Sequence, residues 1–247
     1  MEIFGIEHIL FLVISIVIMA ALIVIFKLFV PKEKMYIVMK MCAGIGLILI
    51  IINRIVVSLS RDGTFLDFLP DTYCSMMGFI MPIAVLCFKP NSKTFQYAMF
   101  AGMIGGILTM FYPDFFVYFD NVFNIHPFTG YLYHANMFFM FVVAIATGYF
   151  KPTFKNFMSL VVGLAFMVVV GEFGNSVLGQ SNNMYLNAPL ISNTVFTWWF
   201  VCILYLVIYA LFLQIYEMLT LKPADWSVVK VWNFLKNKLK KSENIEK

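Results

Sequence analysis

The sequence predicts an all-α membrane protein with seven transmembrane helices, its N-terminus outside and its C-terminus cytoplasmic. Three observations carry that expectation. The 247 residues are 62% hydrophobic and only 12% charged, more apolar than a water-soluble core can hide. Apolar runs of bilayer-crossing length recur near residues 6–30, 35–58, 72–88, 95–112, 131–150, 155–173 and 195–219. Of the 17 Lys and Arg residues, only Arg54 and Arg61 fall on the side of the chain that holds the N-terminus, so the lysine-rich side is expected to be cytoplasmic.

Unpaired backbone groups are costly in hydrocarbon, so each long apolar run is expected to be a helix. The first run follows Glu2 and Glu7 without a basic start and is longer than a cleavable signal, which makes it a span. The second runs without a break through Ile48–Ile52. The third is the weakest: it is short, rich in Met and contains Pro82. In the fourth, Gly102 and Gly106 form a small-xxx-small pair, a mark of close helix packing. The connection from Phe111 to Tyr133 is dense in Phe and Tyr and has no Lys or Arg, which suits the outer interface. Seven spans and short loops use residues 1–221 as one membrane domain. Residues 222–247 form a basic tail in which Trp226, Val228, Val231, Trp232, Leu235 and Leu239 fall near one helical face. That face suits an anionic inner leaflet, the alternative being a solvated tail.

With this topology the unusual polar residues gather at one level. Glu7 and His8 open the first span, Arg54 lies near the outer end of the second, and Asp71 and Cys74 open the third. His126 precedes the fifth span and His134 lies in its outer end; Glu172 and Asn175 close the sixth, and Asn182 and Asn183 sit in the last outer connection. Ionisable groups within or beside spans line a cavity or a site by default. Taken singly, each is equally well read as a solvated or capping group at a wet helix end. The convergence points to an outward-facing pocket in which His8, Arg54, Asp71, Glu172, Asn182 and Asn183 bind or orient.

Cys74 has the most chemical potential. In the run Phe68-Leu69-Pro70-Asp71-Thr72-Tyr73-Cys74, Pro70 fits an early helical position and Cys74 the first turn. A helix N-terminus stabilises a thiolate and a nearby histidine can take its proton, though a lone membrane cysteine is more often an inert small hydrophobe. His134 is either a general base or a hydrogen-bonded structural residue. Asp71, three residues before Cys74, shares its helical face and could orient a histidine, while its charge alone opposes a thiolate. Cys42, Cys87 and Cys202 lie inside apolar runs, which suggests neither disulfides nor a metal cluster. No HExxH, Walker loop or GxSxG occurs, so no metal or cofactor is expected and nothing points to nucleic acid.

Glu7-His8 opening the first span, Leu69-Pro70 followed by Cys74, His134, and Asn182-Asn183-Met184-Tyr185-Leu186 before the last span together resemble the YwaF-like integral membrane proteins, which are similar to the animal transmembrane protein 164 family. The resemblance implies lipid chemistry: a cysteine-dependent acyltransferase moving acyl chains between glycerophospholipids, with Cys74 as nucleophile and His134 as base. The expected activity is therefore a membrane lipid acyltransferase or acyl hydrolase working through an acyl-thioester in the cell membrane, with phospholipids as partners. Two other readings stand beside it: a carrier or receptor binding a small or amphipathic ligand in the same pocket, and a structural protein whose polar residues only join helices.

Overall fold

The computed structural model describes residues 2–61, 63–190 and 193–243, with side chains described to residue 237. It is all helical; no strand occurs among the described residues. Seven apolar helices form the bundle: α1 (Ile6–Phe29), α2 (Met35–Ser60), α4 (Tyr73–Cys87), α5 (Lys93–Phe111), α6 (Ile125–Ala146), α7 (Met158–Ser176) and α8 (Trp198–Thr220). A one-turn helix, α3 (Phe65–Phe68), lies in the loop before α4, and α9 (Ser227–Glu243) follows the bundle. Six of the seven are long and apolar enough to cross a membrane, and α4 is the shorter one.

The shortness of α4 has a structural reason. Its 15 residues rise only about 22 Å at 1.5 Å each, against a hydrocarbon core of about 30 Å. It avoids lipid by packing between α2, α5 and α6, with Met77 and Met81 fully buried. The loop that feeds it fills the remaining depth. Pro70, expected inside this helix, lies before it; Thr72 is the N-cap and closes a capping box with Ser75.

The fifth span starts earlier than expected. α6 begins at Ile125 with Asn124 as its N-cap, six residues before the expected 131. Pro127 is compatible with this because first-turn N–H groups have no helical acceptor. The helix ends at Ala146, where Gly148 turns left-handed at φ +72° and Phe150 N–H bonds back to the Ala144 carbonyl at 3.0 Å. His126 is thus helical, and His134 sits in the third turn rather than at the mouth.

Helix α1 lies outermost, with only His8 and Met19 buried. His8 attaches it. Phe4 N–H donates to Nδ1 at 3.1 Å, and Nε2 pairs with the Met110 carbonyl at the end of α5 at 3.0 Å. A carbonyl can only accept, so Nε2 carries the proton and both ring nitrogens are used. Phe11 adds a ring contact with Tyr131 of α6 at 4.6 Å.

The lysine-rich end is closed by polar side chains. Gln96 of α5, fully buried, donates to the Thr153 carbonyl at 2.8 Å, pairs with the Tyr209 hydroxyl of α8, and accepts from Thr153 N–H at 3.1 Å. Glu217, buried near the end of α8, accepts from the Ser227 N–H and hydroxyl, each at 2.7 Å, and so caps α9. On α9, Val228, Val231, Trp232 and Leu235 are exposed, and they form a shallow groove with Phe154. The side chain of Leu239 lies outside the described residues.

If His8 is a fastener for α1, His8→Ala removes two hydrogen bonds worth about 1 kcal/mol each and lowers the thermal midpoint in detergent. His8→Gln, which keeps a donor for the Met110 carbonyl, recovers about half. An unchanged midpoint for His8→Ala contradicts this role.

Candidate functional site

The site is built on Arg54. Its side chain is buried on α2 and its guanidinium faces the loop before α4. Nε donates to the Phe68 carbonyl at 3.1 Å, one terminal nitrogen donates to the Asp67 and Leu69 carbonyls at 2.6 and 2.5 Å, and the other pairs with Asp71 at 3.2 Å. The carbonyls at the end of α3 have no helical partner of their own, and Arg54 supplies the missing donors. Arg61 meets the second Asp71 oxygen at 3.1 Å. Asp71 is therefore held by two arginines, and no hydrogen bond joins it to a histidine among the described residues. Next to it, the hydrogen bond from Thr64 holds the Asp67 carboxyl below its ordinary range.

The pinned loop sets the start of α4. Thr72 takes the Ser75 N–H, and Met76 N–H makes the first helical bond to the Thr72 carbonyl at 3.0 Å. The N–H groups of Tyr73 and Cys74 remain first-turn donors without helical acceptors. Cys74 is in the first turn, as its sequence context predicts.

A second segment closes over this helix start. Met184 N–H donates to the Asp71 carbonyl at 2.9 Å, which ties the α7–α8 connection to the α4 loop. Met184 and Tyr185 both take left-handed φ, 54° and 59°, a costly conformation for side chains of that size. The segment lies directly on α7: a Cβ at Gly171 would stand 2.8 Å from the Met184 Cβ, and one at Gly174 would overlap the Asn183 amide. Asn183 is anchored by its N–H to Asn175 at 2.7 Å, with its amide paired to Gln180. Asn182 shapes the following turn by accepting from Asn187 and Ala188 N–H at 3.0 and 2.9 Å.

Two cavities flank this pair of segments. On one side a chamber of about 100 Å³, almost wholly apolar, is bounded by Cys74, Tyr73, Tyr185, Cys202 and Tyr205. Its rim includes Leu190 and Trp198, both partly exposed between the ends of α7 and α8, which meet only sparsely. On the other side a polar pocket of about 380 Å³ is bounded by Arg61, Asp67, Asp71, Thr72, Asn182 and Asn183. Residues 71–74 and 182–186 form the partition.

His134 is buried in α6 and is not among the residues that bound the chamber. Its Nδ1 pairs with the Gly130 carbonyl at 2.7 Å, so Nδ1 carries the proton and Nε2 of the neutral ring keeps its lone pair. That Nε2 is buried without a partner among the described residues, as is the Tyr73 hydroxyl. Cys74 and His134 reach α5 at adjacent glycines: a Cβ at Gly105 would sit 3.4 Å from the Cys74 sulfur, and one at Gly106 would sit 2.6 Å from the His134 carbonyl oxygen. No hydrogen bond joins Cys74 to His134 among the described residues.

The expected site residues thus separate. Arg54, Asp71, Asn182 and Asn183 build the partition, and Cys74 opens on the chamber. His8 is used up in holding α1, and Glu172 is exposed on α7, where it accepts from the Ser176 hydroxyl. Tyr73, Tyr185 and Tyr205 bound the chamber beside Cys74, and the sequence reading gave none of them a role. Thr72 and Ser75, three apart before an apolar run, carried the capping signal that places the helix start.

The family model described as the TMEM164 family matches residues 3–216. The chain belongs to this family. The match takes in every spanning helix and ends within α8, before α9. It bears out the resemblance drawn from the short motifs around His8, Cys74, His134 and Asn182. No curated protein and no solved structure matches.

Arg54→Gln strands the loop carbonyls and one side of Asp71. It is expected to cost about 3 kcal/mol, as removal of one partner from a buried pair does. Arg54→Lys does not restore the loss, because a point charge cannot serve four acceptors spread along a loop. Melting in detergent checks the stability, and labelling of Cys74 by an apolar maleimide checks the helix start. Labelling that is no faster in Arg54→Gln than in the parent contradicts the clamp.

Proposed function

We propose that this chain is a membrane lipid acyltransferase or acyl hydrolase that works through an acyl-thioester on Cys74, with His134 as its base. The observation that carries the reading is a first-turn cysteine at the wall of an apolar chamber whose rim lies between two sparsely packed helices. The ester-bearing end of an acyl chain suits such a chamber, and the polar pocket across the partition suits the water-facing part of a lipid. Membership of the TMEM164 family supports the same reading.

In the first half-reaction Nε2 of His134 takes the thiol proton, and the Cys74 sulfur attacks the ester carbonyl. The tautomer set by Gly130 leaves Nε2 free for that task. The N–H groups of Tyr73 and Cys74 and the positive end of α4 offset the negative charge that develops on the carbonyl oxygen. The ester C–O bond breaks, the protonated His134 returns its proton to the leaving lysolipid alkoxide, and the acyl group stays on sulfur. In the second half-reaction His134 deprotonates a lysolipid hydroxyl or water, which attacks the thioester and regenerates the thiol. The two groups are not hydrogen bonded in the resting protein, and catalytic hydrogen bonds commonly tighten only with substrate present.

The lysine asymmetry supports an orientation with the Cys74 end outside, the lysine-rich end cytoplasmic and the protein in the cell membrane. In that orientation α9 lies along the inner leaflet, its exposed Val228, Val231 and Trp232 in the lipid.

The test is acyl transfer and release in proteoliposomes containing a phospholipid with a labelled acyl chain. Cys74→Ala abolishes both, and His134→Ala lowers them by about 10²–10⁴-fold, with thermal melting showing that each variant is folded. If Cys74→Ala keeps activity, the reading fails. An inactive parent that binds lipid as well as Cys74→Ser does transfers the site to the carrier or receptor reading.

A further inference from the structure

At the lysine-rich end, on the far side of the bundle from Cys74, a cavity of about 830 Å³ opens between the end of α1, the end of α8 and the α6–α7 connection. Three lysines line it, one from each of three segments: Lys27 from α1, Lys32 from the α1–α2 connection and Lys151 from the α6–α7 connection. None of the three has an ion-pair partner among the described residues, where the ion pairs involve only Arg54, Arg61 and Lys230. Glu217 is the one acidic group in the wall, and both its oxygens are occupied by Ser227. Three like charges around one cavity repel one another unless an anion sits among them.

The rest of the wall joins the polar Thr147, Thr153, Tyr216 and Thr220 to an apolar side. Phe26, Val30 and Ile145 line the interior, and Leu219 lines it while being 81% exposed. Beside it Leu28 and Phe29 of α1 are 69% and 76% exposed, so the opening is continuous with the lipid-facing surface. A small soluble anion leaves such walls uncovered. A lipid with a phosphate head and apolar chains satisfies both halves of the site.

We propose that this cavity binds one anionic glycerophospholipid, its phosphate held among Lys27, Lys32 and Lys151 and its acyl chains laid along the cleft between α1 and α8. The lipid fills a gap beside α1, of which only His8 and Met19 are buried among the described residues. The site is separate from Cys74 and does not depend on acyl chemistry there.

The test uses the full chain in detergent, with dioleoyl phosphatidylglycerol or dioleoyl phosphatidylcholine added and bound lipid counted by native mass spectrometry alongside thermal melting. The parent retains one phosphatidylglycerol per chain at a concentration at least about tenfold below that needed for phosphatidylcholine. The variant K27Q/K32Q/K151Q loses that preference and the added stability. K230Q/K236Q, which changes lysines only on α9, keeps both. Equal binding of the two lipids by the parent overturns the proposal, as does a preference that survives in K27Q/K32Q/K151Q. Inorganic phosphate or glycerol 3-phosphate that stabilises the parent as well as the lipid does makes the ligand a free anion and overturns the lipid assignment.

Discussion

The chemistry-bearing end depends on one side chain meeting loop carbonyls that the short helix α3 leaves without partners. Helix α4 is too short to reach the surface, so the chain must enter the bundle as irregular backbone, and such backbone survives at depth only where the protein supplies its hydrogen-bond partners. Arg54 supplies them by donating to three successive carbonyls and to Asp71. The position of Thr72, the first turn of α4 and the thiol of Cys74 follow from that clamp. Met184 then docks on the Asp71 carbonyl, so the far wall of the chamber also rests on the segment that Arg54 holds.

The two ends of the bundle solve different problems. At the Cys74 end the charges in the loop before α4 are paired or hydrogen bonded: Asp71 with Arg54 and Arg61, and Asp67 with Thr64. At the other end Gln96 and Glu217 join the helices by uncharged and capping hydrogen bonds, while lysines are left over around an open cavity. A bundle with its reactive thiol under a neutralised lid and its spare positive charge at the opposite end has separate places for chemistry and for anchorage.

Much of this was legible in the sequence. Six of the seven bundle helices follow from apolar length, because in lipid a long apolar run has no alternative to a helix, whereas α4 is too short for that argument. Where a span begins depends on capping and on burial, and there periodicity was a poor guide. Pro70, expected in an early helical position, precedes α4, while Pro127, which lies before the expected start at 131, falls in the first turn of α6. Cys74 was legible because its neighbourhood reads as a helix start. The uses of His8 and Asp71 were not, because each is decided by a partner far off in the chain: Met110 for His8, and Arg54 for Asp71. Tyr205 carried no signal in the sequence, and Tyr185 entered only within a short motif, until the fold brought both to Cys74.

The central claim is that the thiol held at the start of α4 carries an acyl group. It is tested most directly by peptide mass spectrometry of the protein purified in its native lipid. The account predicts an acyl adduct on Cys74 that hydroxylamine removes and that is missing from Cys74→Ala. A free, reactive Cys74 with no adduct, even after phospholipid is added, contradicts it.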